Sequence, residues 1–278
     1  MFAIFDSTAA QCSKIVTRQY STSFSLGIFF LHRSLHEAIY AIYGFVRFAD
    51  EIVDSFHDFE KRDLLEKFRE DTFRAISDGV SLNPVLQSFQ KTVNQYGIED
   101  ELIETFLHSM EMDLDQSHHD RDSFKDYILG SAEVVGLMCL RVFCEGDEAR
   151  YQALKASAMK LGSAFQKVNF LRDLHQDYYD LQRTYFPNLS MHEFDEETKS
   201  RIESDIREDF RQALEGIKRL PRGARFGVYV AYVYYRALLQ KIESTPGEHL
   251  LKKRLRLPGL QKFWLLIHTY VRYGFGVL

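Results

Sequence analysis

Asn169, Asp173 and Asp177 stand four residues apart within Asn169-Phe-Leu-Arg172-Asp173-Leu-His-Gln-Asp177. On an α-helix that spacing stacks one amide oxygen and two carboxylates along a single face, with Arg172 at its edge. A second segment repeats the arrangement with Arg47, Asp50, Glu51 and Asp54, the aspartates again four apart. Two carboxylates ~6 Å apart at an effective dielectric near 20 repel by roughly 3 kcal/mol, so a lone pair of this kind belongs on a solvated surface. Both pairs here lie in apolar company, Ile39 to Phe45 before the first and Phe165, Val168, Phe170 and Leu171 around the second. Acids in such surroundings face a cavity with a cation in it. An oxygen donor set without thiolates or several imidazoles favours Mg²⁺ over Zn²⁺, with Mn²⁺ as a substitute. Mg²⁺ is usually held by a few carboxylates together with substrate phosphates, so the incomplete ligand set points to a phosphorylated substrate.

The elements that must carry these residues read as helices. The 278 residues are 45% hydrophobic and 27% charged with only five prolines, and strand-type alternation is scarce. That composition predicts a soluble all-α protein, one domain over residues 1–278. A net charge of −5 gives no support for nucleic-acid binding. Cys12, Cys139 and Cys144 are scattered, which fits a reducing compartment and thiols rather than metal ligands. The N-terminus lacks a basic flank and long apolar run, and no stretch reaches the ~20 apolar residues of a membrane span. A cytoplasmic location is the expectation.

Helices are predicted over 8–20, from a Ser34/Glu37 capping box to about Ser55, and over Asp58–Ser77 with a stop at Asp78-Gly79. Asn83-Pro84 opens the next and Tyr96-Gly97 closes it. Residues 99–117, Ser123–Phe143 (with Gly130 and Gly136 inside it) and 147–177 follow, and Tyr185-Phe-Pro187 is expected to end that region. Asp195–Gly216 reads as a solvent-facing helix, Pro221–Ile242 as a buried one, and 262–273 as the last. The Ser-rich corner Ser21-Thr-Ser23-Phe24 reads as a helix cap before it reads as an anion site. His118-His119 reads as a polar helix end, because adjacent residues do not share a helix face.

Taken in order, Ser21-x-Ser23-Phe24, Arg47…Asp50-Glu-Ile-Val-Asp54, Tyr127…Ala132-x-x-Val135-Gly136, Gln166-x-x-Asn169-x-x-Arg172-Asp173…Asp177 and Arg183-Thr-Tyr-Phe-Pro187 resemble the signatures of the squalene/phytoene synthase family. The likeness covers nearly the whole chain and is nearest in flavour to bacterial phytoene synthases. It implies a helical bundle of the isoprenoid synthase type around an apolar cavity. It also implies an enzyme that joins two geranylgeranyl diphosphates head to head, through a cyclopropyl diphosphate, to give phytoene and diphosphate.

Carried over, the resemblance assigns Asp50, Asp54, Asn169, Asp173 and Asp177 to Mg²⁺. Arg47 and Arg172 would hold diphosphate oxygens or pair with the acids, and Ser21, Ser23, Gln166 and Tyr127 would line the diphosphate end. Tyr235 and Arg254 would stand near the same diphosphate. Glu51 replaces a second Asp of the motif, and Tyr20 stands where several relatives carry His. Phe24, Phe165 and the tyrosine-rich helix offer ring faces to positive charge, and Ile28 and Phe29 are candidates for the pocket floor. Squalene or dehydrosqualene synthesis from two farnesyl diphosphates is the alternative product reading. A Gly-rich dinucleotide fingerprint is missing, and NADPH is not expected. A cyclase acting on one diphosphate ranks lower, since Asp173 and Asp177 stand where its second metal motif needs Ser and Glu. A non-catalytic scaffold would have no need of both acid sets. For the basic cluster near Arg254 and the helix of Trp264 there are two expectations: peripheral membrane contact, or plain closure of the bundle.

Overall fold

Residues 2–115, 118–181, 183–187 and 194–274 are described by the computed structural model. Thirteen α-helices run in order among them: α1 Phe2–Tyr20, α2 Thr22–Phe29, α3 His36–Ser55, α4 Lys61–Asp78, α5 Pro84–Tyr96, α6 Asp100–Asp115, α7 Arg121–Ile128, α8 Val134–Cys144, α9 Glu148–Tyr179, α10 Glu196–Arg219, α11 Arg222–Glu243, α12 Gly247–Leu250 and α13 Gly259–Gly274. No strand occurs among the described residues beyond an isolated parallel bridge between His118 and Thr184. The all-α expectation holds.

Local chemistry sets most of the boundaries. The Asn83 side chain accepts from the backbone N–H groups of Val85 and Leu86 and opens α5, with Pro84 in its first turn. Gly79 and Gly97, both at positive φ, close α4 and α5. Asp195 caps α10 through Thr198 N–H. The Ser34/Glu37 capping box does not form: a 3₁₀ turn over Arg33–Leu35 leads into α3, and Ser34 Oγ pairs with His32 Nδ1 at 2.8 Å instead. The helix expected from Asp58 begins at Lys61, whereas the one expected over 147–177 spans Glu148–Tyr179 and ends before Tyr185-Phe-Pro187 is reached. Pro187 is therefore not what stops it.

Around α3 the core is aromatic, with Phe45 stacked on Phe89 at a centroid distance of 3.9 Å and Phe68 and Phe106 beside it. α3 packs against α1, α4, α5, α6 and α8, while α9 lies along α8 and α10. The predicted Ser123–Phe143 helix is split by a π-helical turn, Leu129–Glu133, between α7 and α8. Two glycines explain how tightly that turn is held. A Cβ on Gly130 would lie 2.5 Å from Ser109 Cβ of α6, and one on Gly162 of α9 would lie 2.5 Å from the Ala132 carbonyl oxygen. The π turn thus wedges between α6 and α9 and fixes their spacing.

α10 is not simply solvent-facing. Its Asp209 is buried and takes charged contacts from Lys160 at 2.9 Å and Lys167 at 2.7 Å, plus a hydrogen bond from Ser163 Oγ at 3.0 Å, all on α9. The continuous run Arg121–Cys144, with mean hydropathy 1.6 over its most apolar window, is long and apolar enough to cross a membrane, unlike the sequence expectation. Most of that window, 61%, is packed inside the protein, and the run holds core residues such as Val134, Met138 and Val142.

Candidate active site

Both acid ladders line one cavity of about 690 Å³. Its wall changes character along each helix. On α3 it takes Ile39, Ile42, Tyr43 and Val46 first, then Arg47, Asp50 and Asp54. On α9 it takes Leu154, Ser157, Ala158 and Leu161, then Gln166, Asn169, Arg172, Asp173 and Asp177. At 1.5 Å per residue the α9 wall is roughly 35 Å long, so the hollow is elongated, greasy along the early turns and acidic along the late ones. α3 ends at Ser55 and α9 at Tyr179, so Asp54 and Asp177 sit where each helix macrodipole is negative. Carboxylates at that end are repelled by the helix as well as by one another.

Each ladder is partly neutralised from within. Arg47 ion-pairs with both Asp50 and Glu51, and its guanidinium lies 4.3 Å over the Tyr20 ring. Tyr20 therefore acts as a stacking partner for Arg47. Asp173 is clamped by Arg172 Nε at 2.9 Å and Arg254 Nε at 2.7 Å. Tyr235 Oη donates to Asn169 Oδ1 at 3.2 Å, and Asn169 Nδ2 donates to Gln166 Oε1 at 3.4 Å. Among the described residues nothing donates to the Asp177 carboxylate. Burial, then Asp173 and Asp54, push its pKa up to about 8. Burial and Asp54 likewise raise Asp50 to about 7 against the pull of Arg47. The two ladders confront each other across this cavity, whose wall holds Asp50 and Asp54 of α3 and Asp173 and Asp177 of α9.

The residues fit a hard divalent cation on this ground: the cavity concentrates negative charge that the protein leaves uncompensated. No three His, Cys, Asp or Glu side chains among the described residues gather into a group that would enclose an ion alone. The carboxylates would share such an ion with oxygens from elsewhere, as Mg²⁺ sites built on phosphates do.

Three residues without an assigned role in the sequence reading hold the site together. Arg183 donates from Nη1 to Asp54 at 2.8 Å and from Nη2 to the Asp113 carbonyl at 3.0 Å, while its backbone N–H donates to the Asp177 carbonyl at 2.8 Å. It ties the first ladder, α6 and the end of the second ladder in one residue. Asp113, buried on α6, accepts from Tyr127 Oη at 2.7 Å and Tyr185 Oη at 3.3 Å. Its pKa is raised to about 6, because burial outweighs Arg183. A signal existed: Phe106, Met110 and Asp113 share one face of α6 at i, i+4 and i+7, which places an acid on a core stripe.

The remaining expected residues divide. Ser21, Gln166, Tyr127, Tyr235, Arg254 and Ile28 line the cavity. Ser21 also caps α2 by accepting from Phe24 N–H. Ser23 is not part of the wall; Lys262 Nζ of α13 donates to it at 3.3 Å, so Lys262 is the cation at this corner. Phe29 points to solvent and is no floor for the pocket. Phe24, Phe165 and Tyr235 form an aromatic wall, the last two stacked at 4.0 Å. His118 Nδ1 pairs with Thr184 Oγ1 at 2.5 Å, and His119 is buried between Tyr127 and Tyr185, so the pair is not a plain polar helix end.

The model of the family described as squalene/phytoene synthase matches residues 17–261, most of the chain and every element of the cavity named above. The chain belongs to the squalene/phytoene synthase family. A phytoene synthase of Arthrospira platensis is 26% identical over 90% of this chain and 89% of its own length. A chloroplastic phytoene synthase 1 of Solanum lycopersicum is 26% identical over 86% of this chain and 62% of its own length. A presqualene diphosphate synthase of Rhodopseudomonas palustris is 30% identical over 62% of this chain and 60% of its own length. The chain thus spans about three fifths of the length of the last two relatives. In fold, this squalene/phytoene synthase family member is similar to a dehydrosqualene synthase crystal structure, with a TM-score of 0.81 and 19% identity over 97% of this chain and 98% of that one.

Proposed function

We propose that residues 1–278 act as one prenyltransferase domain that condenses two prenyl diphosphates head to head with release of diphosphate. The observation that carries this reading is the pairing of two acid ladders at the same end of a single, otherwise apolar cavity. Phytoene from two geranylgeranyl diphosphates is the preferred product, supported by the names of relatives from a cyanobacterium and a plant. Squalene or dehydrosqualene from two farnesyl diphosphates is the second reading, supported by the presqualene diphosphate synthase and the structural neighbour.

Asp50, Asp54, Asn169, Asp173 and Asp177 would hold Mg²⁺, which would supply Lewis-acid stabilisation of the departing diphosphate. Arg47, Arg172, Arg254 and Lys262 carry the remaining positive charge toward the diphosphate oxygens. Ser21, Gln166, Tyr235 and Asn169 offer directional hydrogen bonds that orient the head group. The apolar turns of α3 and α9 bury the prenyl tails and exclude water from the allylic cation. Phe24, Phe165 and Tyr235 present ring faces beside it. The Tyr127–Asp113–Tyr185 cluster holds its phenols as proton donors, because burial next to a carboxylate pushes both well above their usual pKa.

Incubation with labelled C15 and C20 diphosphates, with and without NADPH, tests the proposal. The expected result is Mg²⁺-dependent diphosphate release and phytoene from the C20 substrate in either condition, with activity lost in Asp54→Asn and Asp173→Asn. Release from neither substrate would replace this reading with that of a non-catalytic scaffold.

A further inference from the structure

α13 is built the wrong way round for a helix that only closes a bundle. Thr269 is its one buried residue, and Tyr234 Oη grips its first turn by donating to the Lys262 carbonyl at 2.8 Å. Leu260, Phe263, Trp264, Ile267, Tyr270 and Val271 are all exposed, Trp264 at 65%. At 100° per residue those six fall within an arc of about 120°, and Thr269 lies opposite them. An apolar stripe that wide normally faces the core; here it faces outward. The stripe includes Trp, Phe and Tyr, the side chains favoured where an apolar phase meets water.

Charge says what meets it. From His249 to Leu278 the sequence has six Lys and Arg residues and no Asp or Glu, in a chain whose net charge is −5. Lys252, Lys253 and Arg256, in the segment leading into α13, are exposed. An aromatic stripe beside an acid-free basic segment is the pattern of a helix lying in the headgroup plane of an anionic bilayer.

We propose that α13 and the Lys252–Arg256 segment dock this protein on the surface of an anionic lipid bilayer. The stripe enters the acyl boundary, and Lys252, Lys253 and Arg256 meet the lipid phosphates. Lys262, at the start of the same helix, bonds Ser23 next to the cavity, so the bilayer lies beside the corner where Ser21 and Arg254 line the cavity wall. Greasy tails then have a short path between cavity and membrane.

Trp264 is the only tryptophan in the chain, which makes its emission a reporter of this helix alone. The full chain, without substrate, is titrated with vesicles of one part phosphatidylglycerol to two parts phosphatidylcholine, and with phosphatidylcholine alone. A blue shift and co-sedimentation with the mixed vesicles, reversed by salt, is the expected result. Lys252→Gln/Lys253→Gln lowers partition onto the mixed vesicles by about 30-fold, from the usual gain per basic residue at an anionic surface, with little effect on neutral ones. Phe263→Ser and Ile267→Ser each lower it by about tenfold; both sites are exposed, and an unchanged helix signal confirms folding. Unaltered emission with both vesicle types overturns the proposal. So does a lipid-free, concentration-dependent blue shift, which would assign the stripe to a second copy of the chain. Neither result depends on prenyl transfer.

Discussion

Arg183 is nearly buried, with 9% of its side chain exposed, and it faces Asp54 and Asp113 together. Replacing it by Met leaves Asp113 enclosed without a cation and frees Asp54 from its partner. Breaking a buried pair on one side costs about 3–5 kcal/mol. Arg183→Met is therefore expected to lower unfolding free energy by that amount in urea melts, and to abolish diphosphate release in whatever fraction stays folded. At this scale the sequence shows which side chains bear the chemistry, because the i, i+4 spacing of Asp50/Asp54 and Asn169/Asp173/Asp177 is visible without coordinates. It does not show how they are paired. The Arg254 arm of the Asp173 clamp and the Arg183–Asp54 tie join residues far apart in the chain, and nothing local announces them. Ser23 illustrates the reverse: the family resemblance implies a place at the diphosphate end, but the side chain accepts from Lys262.

Between elements, the decisive contact is Gly162 against the Ala132 carbonyl in the π turn. Ala is worth about 1 kcal/mol more than Gly within a helix, whereas forcing a carbon onto a backbone oxygen costs about 1–3 kcal/mol. The 2.5 Å approach is to backbone that lacks a free torsion to yield, so the clash wins. Gly162→Ala is expected to lower the urea midpoint and, by pushing α9 away from the π turn, to weaken substrate binding as a raised KM. Helix ends were legible where a single residue decides them, as at Asn83, Gly79, Gly97 and Asp195. They were not where tertiary packing decides. Ser34 had a capping partner three residues on but lost it to His32, and the π turn leaves no mark in the sequence apart from glycines that also suit a kink.

Over the whole molecule, buried acids make stability depend on pH in a definite direction. Carboxyls raised to about 7 at Asp50 and about 8 at Asp177 bind protons more tightly in the folded chain than in the unfolded one. The metal-free fold therefore loses stability as pH climbs from about 4, the ordinary carboxylate value, through about 8. Added Mg²⁺ displaces those protons, so its stabilising effect is expected to grow between pH 6 and pH 8. Scanning calorimetry in chelator and in excess Mg²⁺ measures both trends; a metal-free Tm that rises with pH over that interval would refute the arrangement. The all-α class was plain from composition and periodicity. The outward turn of the α13 stripe was not, since periodicity identifies an apolar face but not which way it looks. The acid-free stretch from His249 onward has an effect at longer range. Basic charge gathered at one pole of an acidic molecule gives it a permanent dipole, and a negative surface would rotate the protein into alignment before contact, within the ~8 Å that physiological salt leaves unscreened.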